Sequence, residues 1–199
     1  PLTLTTSKHL LPVWDKPMVY YPIQTLVKAG IKDIIIVVGG PHAGQYVTAL
    51  GDGSDFGINH IYYAYQKEEG GIAQAIGCAE KYAQGKSVAV ILGDNCTDAD
   101  ISKDVKNFTM GAKVFLKEVP DPERFGVPEF KDNKIINIVE KPQNPASNYA
   151  VVGVYLYDQT VFDRIRNLKP SKRGELEVSD LDNSYIRDGG LTWSILEGF

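Results

Sequence analysis

Three short stretches place ionisable side chains where a phosphate or a hard cation could be handled. In SKHLLPVWDKP, residues 7–17, Lys8 is combined with a stiff, proline-bracketed apolar segment, which can hold an ammonium at a fixed point beside a cleft. In LGDN, residues 92–95, Asp94 follows a glycine that lets a ligand approach. A carboxylate at the carboxyl end of a central strand is well placed for Mg²⁺, although an Asp there serves equally well to cap a turn. In VEKP, residues 139–142, Glu140 and Lys141 stand side by side with opposite charge. Neighbouring strand residues face opposite ways, so the pair is expected to grip different parts of one ligand and not each other.

Such groups need elements to hold them. Residues 17–29 read as a helix that starts on Pro17 and is capped by Gly30, and residues 33–38 as a β-branched strand buried on both faces. A short helix over 45–50, a strand over 60–66, a helix over 71–84 and a buried strand over 87–92 follow. The later chain is richer in strands, at 112–119, 127–130, 134–139 and 149–157, before a helix over 175–187. Residues 142–148 are a loop, and Tyr62, Tyr63 and Tyr65 read as strand packing. The alternation predicts an α/β fold of three layers with helices on both faces of a mixed, mostly parallel central sheet, extended by a β-rich lobe, and it puts ligands beyond the carboxyl ends of the strands.

Several other patterns lead nowhere. Gly85-Lys86-Ser87 ends like a phosphate-binding loop, but Glu80 occupies the position of the required first glycine and a strand follows where a helix should. GDGSDFG, residues 51–57, lacks the dinucleotide spacing. His9, His42 and His60 have no metal-ligand spacing, and Cys78 and Cys96 form neither a disulfide framework nor a thiolate zinc site.

Composition narrows the partners. At 199 residues, with 43% hydrophobic and 23% charged, the chain can bury a sizeable core and is not a disordered tail. The 21 Lys and Arg against 25 Asp and Glu leave a net charge of −4, so no global positive field favours nucleic acid or an anionic membrane. With no apolar run near bilayer length and no signal-type start, the expected location is cytoplasmic.

Taken in order, SKHLLPVWDKPMVYYP, LGDGSDFG, GGIAQA, LGDN, DPERFGV, VEKP, NYAVVGVYLYD and RGELEVSDL resemble the sugar-1-phosphate nucleotidyltransferases, the glucose-1-phosphate thymidylyltransferases most closely. The resemblance implies a single Rossmann-like nucleotidyltransferase domain over 1–199, with a nucleotide-binding half at 1–110 and a sugar-phosphate-binding half at 111–199. It implies attack of a glucose-1-phosphate oxygen on the α-phosphorus of dTTP, with loss of pyrophosphate and no protein nucleophile. UTP as the nucleotide, or a non-catalytic regulatory subunit, are the alternatives, and a homo-oligomer is expected.

By motif, Lys8 would contact the triphosphate, Asp94 would coordinate Mg²⁺, and Lys141 would bind the sugar phosphate; these three are the candidate catalytic residues. Gln66 and the backbone of Gly71 would meet the pyrimidine edge. Glu140 would accept hydrogen bonds from sugar hydroxyls, Gly126 and Val151 would offer main-chain groups, and Arg173 would add a cation near the phosphate. The family's first strand with its glycine-rich phosphate loop, and the Asp that makes a second metal contact, have no counterpart in these residues: either the full protein carries them or the chain is a truncation that binds without turnover, and the first is favoured because a sheet lacking its first central strand would expose unpaired edges.

Overall fold

Two prolines govern the first turns. In the computed structural model, which describes residues 5–83 and 85–198, Pro12 and Pro17 face each other across a small hairpin of β1 (Pro12–Val13) and β2 (Lys16–Pro17). The N–H groups of Met18 and Val19 donate back to the carbonyls of Leu11 and His9. Helix α1 therefore starts only at Tyr20 and runs to Lys28, three residues after the start that Pro17 predicts. Gly30, at φ 86°, closes it as expected, with its N–H on the Val27 carbonyl and that of Ile31 on Leu26.

Strands β3 (Asp33–Gly39) and β4 (His60–Gln66) pair in parallel, in register from Asp33 with His60 to Gly39 with Gln66, and α2 (Ala43–Leu50) lies between them in sequence. In β3 only Ile34 and Val38 are buried, and the intervening residues stay half-buried, so the strand is less enclosed than its β-branched run predicts. Ile34 and Val38 lie on one face and join Val19, Ile23, Tyr46, Leu50 and Ile58 in a common core. Tyr65 is 57% exposed and does not pack as a strand residue should, whereas Tyr63 lays its hydroxyl on the Gly51 carbonyl.

The expected helix over 71–84 is two helices, α3 (Ile72–Cys78) and α4 (Glu80–Ala83), followed by β5 (Val88–Ile91). At the break the Ala79 N–H bonds Ile76, three residues back, which tightens the last turn of α3. Next come α5 (Ser102–Asn107), β6 (Ala112–Glu118), β7 (Gly126–Lys131), β8 (Lys134–Glu140) and β9 (Tyr149–Tyr157). The chain then forms α6 (Val161–Asn167), α7 (Val178–Arg187) and β10 (Leu191–Ile195). α7 begins three residues later than predicted because Leu176 is already engaged: its N–H donates to the Gly70 carbonyl and its own carbonyl accepts from Ala73.

Six strands make a mixed sheet in the order β10-β6-β9-β7-β8, with β5 also paired to β9. The β10–β6 ladder is parallel, while the β6–β9, β7–β8 and β7–β9 ladders are antiparallel. Antiparallel pairing is thus more prominent than the sequence reading anticipates, because β7 and β8 are joined by a tight turn at Asp132 and Asn133, both with positive φ, which only an antiparallel pair can use. Val114, Leu116, Val127, Val154, Tyr157, Val161, Leu181 and Tyr185 are fully buried and make the core of this part. The chain divides into two compact units: the first takes Pro1–Glu69, Ile91–Asn107 and Gly198–Phe199, the second Gly70–Val90 and Phe108–Glu197.

Candidate active site

In the first unit Lys8 and Asp94, 86 positions apart in sequence, meet: Lys8 Nζ donates to Asp94 Oδ2 at 2.8 Å. Lys8 opens a 3-10 turn over Lys8–Leu10. That turn is steadied from α2, where the Tyr46 hydroxyl lies 2.6 Å from Ser7 Oγ and 2.9 Å from His9 Nδ1. Asp94 sits in a turn after β5, in which the Asn95 N–H donates to the Leu92 carbonyl. Gly93 is there for room, since a Cβ at that position would lie 3.0 Å from His9 Cδ2.

The electrostatics leave Asp94 ionised. Burial is the largest influence on its carboxyl and works to raise its pKa, but the Lys8 hydrogen bond and charge, helped by His9, outweigh it and hold the group below the ordinary Asp value. Burial pushes the His9 ring below its usual pKa, against the attraction of Asp94, so His9 is neutral at pH 7. His9 and Tyr46 were not among the sequence candidates; the adjacency of His9 to Lys8 was a signal for the first, but nothing local ties Tyr46 to a turn 37 residues away. Gln66 closes β4 in the same unit, and its carbonyl is approached so nearly by β3 that a Cβ at Gly39 would lie 2.9 Å from it.

The second unit gathers most of the other candidates. Gly126 stands opposite Glu140 in the β7–β8 ladder and opposite Val151 in the β7–β9 ladder. A Cβ on Gly126 would come 3.6 Å from Glu140 Oε2 and 3.9 Å from Val151 Cβ, so the glycine leaves the face above the carboxylate open. Lys141 follows with φ 46° and donates its N–H to the Phe125 carbonyl. This left-handed turn ends the strand's alternation, and Lys141 Nζ lies 4.0 Å from Glu140 Oε1. The two charges therefore reach one another at the outer limit of an ion pair, where strand geometry alone would have separated them.

Burial, then the neighbouring charge of Glu177, raise the pKa of Glu140 above the ordinary Glu value, against the Ser179 hydroxyl, Lys141 and Arg173. Arg173 is committed to carboxylates: its Nε lies 3.1 Å from Glu177 Oε1 and its Nη2 2.6 Å from Glu175 Oε2. Ser179 and Glu177 are not among the sequence candidates, although both lie in RGELEVSDL, where Arg173 alone is one. Gly71, at φ 95°, caps α3, and a Cβ on it would meet the Leu176 carbonyl oxygen at 2.5 Å.

As a metal holder, Asp94 offers one half-exposed carboxylate, and no group of three or more His, Cys, Asp or Glu suited to a metal ion exists among the described residues. That donor set fits Mg²⁺, which keeps several waters and is commonly held by one or two carboxylates together with substrate phosphates.

Known proteins resemble this chain in sequence and in fold. The family described as "Nucleotidyl transferase" matches residues 1–198. The chain is 45% identical, over 98% of its length and 69% of the relative's, to a protein of Neisseria meningitidis serogroup A named glucose-1-phosphate thymidylyltransferase. A protein of the same name from an Actinoplanes species is 42% identical over 98% of the chain and 66% of its own length. A Bacillus anthracis crystal structure, provisionally described as a glucose-1-phosphate thymidylyltransferase in complex with sucrose, superimposes with a TM-score of 0.93 at 46% identity, covering 100% of this chain and 82% of that one. A UDP-glucose pyrophosphorylase complexed with UDP-glucose shares the fold, with a TM-score of 0.85 at 23% identity over 100% of this chain and 86% of the other. With its full described length matched in sequence and in fold, the chain belongs to the nucleotidyl transferase family.

Proposed function

We propose that this chain joins dTTP to glucose 1-phosphate, giving dTDP-glucose and pyrophosphate. The observation that carries the choice of substrates is the 45% identity, over 98% of the chain, to a relative named for that activity. In the reaction a phosphate oxygen of the sugar phosphate attacks the α-phosphorus of the triphosphate, one P–O bond forms, and the bond to pyrophosphate breaks. Two polyanions must be brought together and their charge compensated, so positioning and electrostatics carry the rate more than proton transfer does.

The residues divide the work. Lys8 turns its ammonium from Asp94 to the triphosphate, and Asp94 holds Mg²⁺, which when bound supplies charge compensation and alignment for the phosphate oxygens. Gln66 and the backbone of Gly71 face the pyrimidine edge. Glu140 accepts from sugar hydroxyls, where a partly buried carboxylate makes strong hydrogen bonds, and Gly126 and Val151 contribute main-chain groups. Lys141 takes the sugar phosphate, and Arg173 exchanges one of its carboxylate partners for the same phosphate. In this division residues 1–110 serve the nucleotide and 111–199 the sugar phosphate. We also assign the cytoplasm and a homo-oligomeric state; no helix among the described residues is long and apolar enough to cross a membrane.

The experiment is pyrophosphate release by the purified protein with glucose 1-phosphate, Mg²⁺ and each of dTTP, UTP, CTP, ATP and GTP in turn. Release favouring dTTP supports the proposal; preference for UTP converts the enzyme to a uridylyltransferase; silence with every nucleotide, alongside measurable binding of dTTP, moves the regulatory reading ahead.

A further inference from the structure

Helix α7 packs against strand β8, and one contact between them is no part of the ligand chemistry above. The Asn183 carboxamide bonds both peptide groups of Ile138: the Ile138 N–H donates to Asn183 Oδ1 at 2.9 Å, and Asn183 Nδ2 donates to the Ile138 carbonyl at 2.8 Å. β8 is an edge of the six-stranded sheet, and edge strands present peptide groups that no neighbouring strand satisfies. On its inner side Ile138 stands opposite Pro128, a residue without an N–H to offer. Asn183 thus supplies, from a helix, the donor and acceptor pair that a further strand would have supplied.

Four residues earlier on the same helix, the Ser179 hydroxyl is among the influences that lower the Glu140 pKa, against burial. Four residues of helix rise about 6 Å and two residues of strand about 6.6 Å, so Ser179 and Asn183 on one helix face match Glu140 and Ile138 on β8. Just beyond Glu140 the chain turns at Lys141, with its N–H on the Phe125 carbonyl. The strand end that bears both charged side chains is therefore held between the β7 side of the sheet and α7.

We infer that Asn183 is a positioning residue of the sugar-phosphate site: by gripping the Ile138 peptide it sets the strand end from which Glu140 and Lys141 project. The inference rests on the reading of those two residues as sugar-phosphate ligands. A 1 Å displacement of such groups is enough to lose a large part of their effect, while the nucleotide contacts proposed for Lys8 and Asp94 come from other elements.

The test compares wild-type enzyme with Asn183→Ala, Asn183→Asp and Glu140→Ala, each assayed for KM towards glucose 1-phosphate and towards dTTP, with hydrogen exchange followed at the Ile138 amide. Asn183→Ala is expected to raise KM for glucose 1-phosphate about tenfold, to leave KM for dTTP unchanged and to speed exchange at Ile138. Asn183→Asp, which keeps the acceptor for the Ile138 N–H but sets an oxygen against its carbonyl, falls between. If Asn183→Ala does not fold, Asn183→Asp carries the same comparison. An unchanged sugar-phosphate KM, or equal losses towards both substrates, overturns the role of Asn183, provided Glu140→Ala weakens sugar-phosphate use. If Glu140→Ala has no effect there, the site reading itself falls and the inference with it.

Discussion

Asp94 carries one charge with two uses. In the structure that charge is answered by Lys8 at 2.8 Å, with the two side chains 41% and 53% exposed. An ion pair this open contributes roughly 0–1 kcal/mol to stability, so the pair is not what holds the turn together. Replacing the carboxylate by an amide of the same shape should therefore spare the fold and remove the metal ligand. Asp94→Asn is expected to lower kcat roughly 100-fold or more while the melting temperature moves by no more than about 3 °C. Turnover near the wild-type level would exclude Asp94 from metal binding. The identity of Asp94, Lys8, Glu140 and Lys141 was legible in the sequence because each sits in a short motif beside a strand end or a proline-stiffened turn. Their surroundings were not. The steadying of Lys8 by Tyr46, and the influence of Ser179 and Glu177 on Glu140, join residues about 40 positions apart; RGELEVSDL contains Glu177 and Ser179 without tying them to Glu140, and nothing local marks Tyr46.

Strands were read closely because their signal is local: an apolar or alternating run ended by Gly, Pro or Asn marks both limits, and 60–66 and 149–157 emerged with no displacement. Helix starts were displaced because distant backbone decided them. Leu176 gives its N–H to Gly70 and its carbonyl to Ala73, so residues 175–177 cannot join α7, and Met18 and Val19 are similarly drawn back to Leu11 and His9. The sequence expectations do not include β10 and α6, even though Leu191, Trp193 and Ile195 alternate and Val161, Phe162 and Ile165 mark a helical face. The Leu176 clamp can be tested at Gly71. Alanine there must adopt φ near 95° and bring its Cβ to 2.5 Å from a backbone oxygen, whereas at Gly85, with φ 72° and nothing within 4 Å, only the backbone cost arises. Gly85→Ala should cost about 1 kcal/mol in denaturant unfolding. Gly71→Ala should cost roughly 3 kcal/mol or more, since overpacking adds to the strain. Equal losses in the two variants would show that the approach of Leu176 does not constrain the start of α3.

At the scale of the whole molecule, stability should carry the mark of one buried acid. Asp182 on α7 is fully buried, takes the Tyr157 hydroxyl on Oδ1 at 2.7 Å and leaves Oδ2 without a partner among the described residues. Burial, with a further push from the charge of Glu140 and against the Tyr157 hydrogen bond, raises its pKa from 3.8 to about 8. The folded protein thus keeps a proton there at neutral pH that the unfolded chain releases. With more protons bound in the native state, stability must fall as pH rises: the contribution is whole below the unfolded value near 4 and is lost progressively up to about 8. Across that window the loss is on the order of 5 kcal/mol, a large share of what holds a domain of this size folded. Asp182→Asn keeps an oxygen for Tyr157 and cannot ionise, so the coupling of this one proton to folding is gone and the melting temperature should fall less between about pH 5 and about pH 8 than that of the wild type. It should also exceed that of the wild type at the alkaline end, where the native carboxyl must either ionise in its buried place or hold its proton against the solvent. Thermal melts of both proteins across this range decide the matter, and parallel curves would mean that Asp182 ionises in the folded state as readily as in the unfolded one.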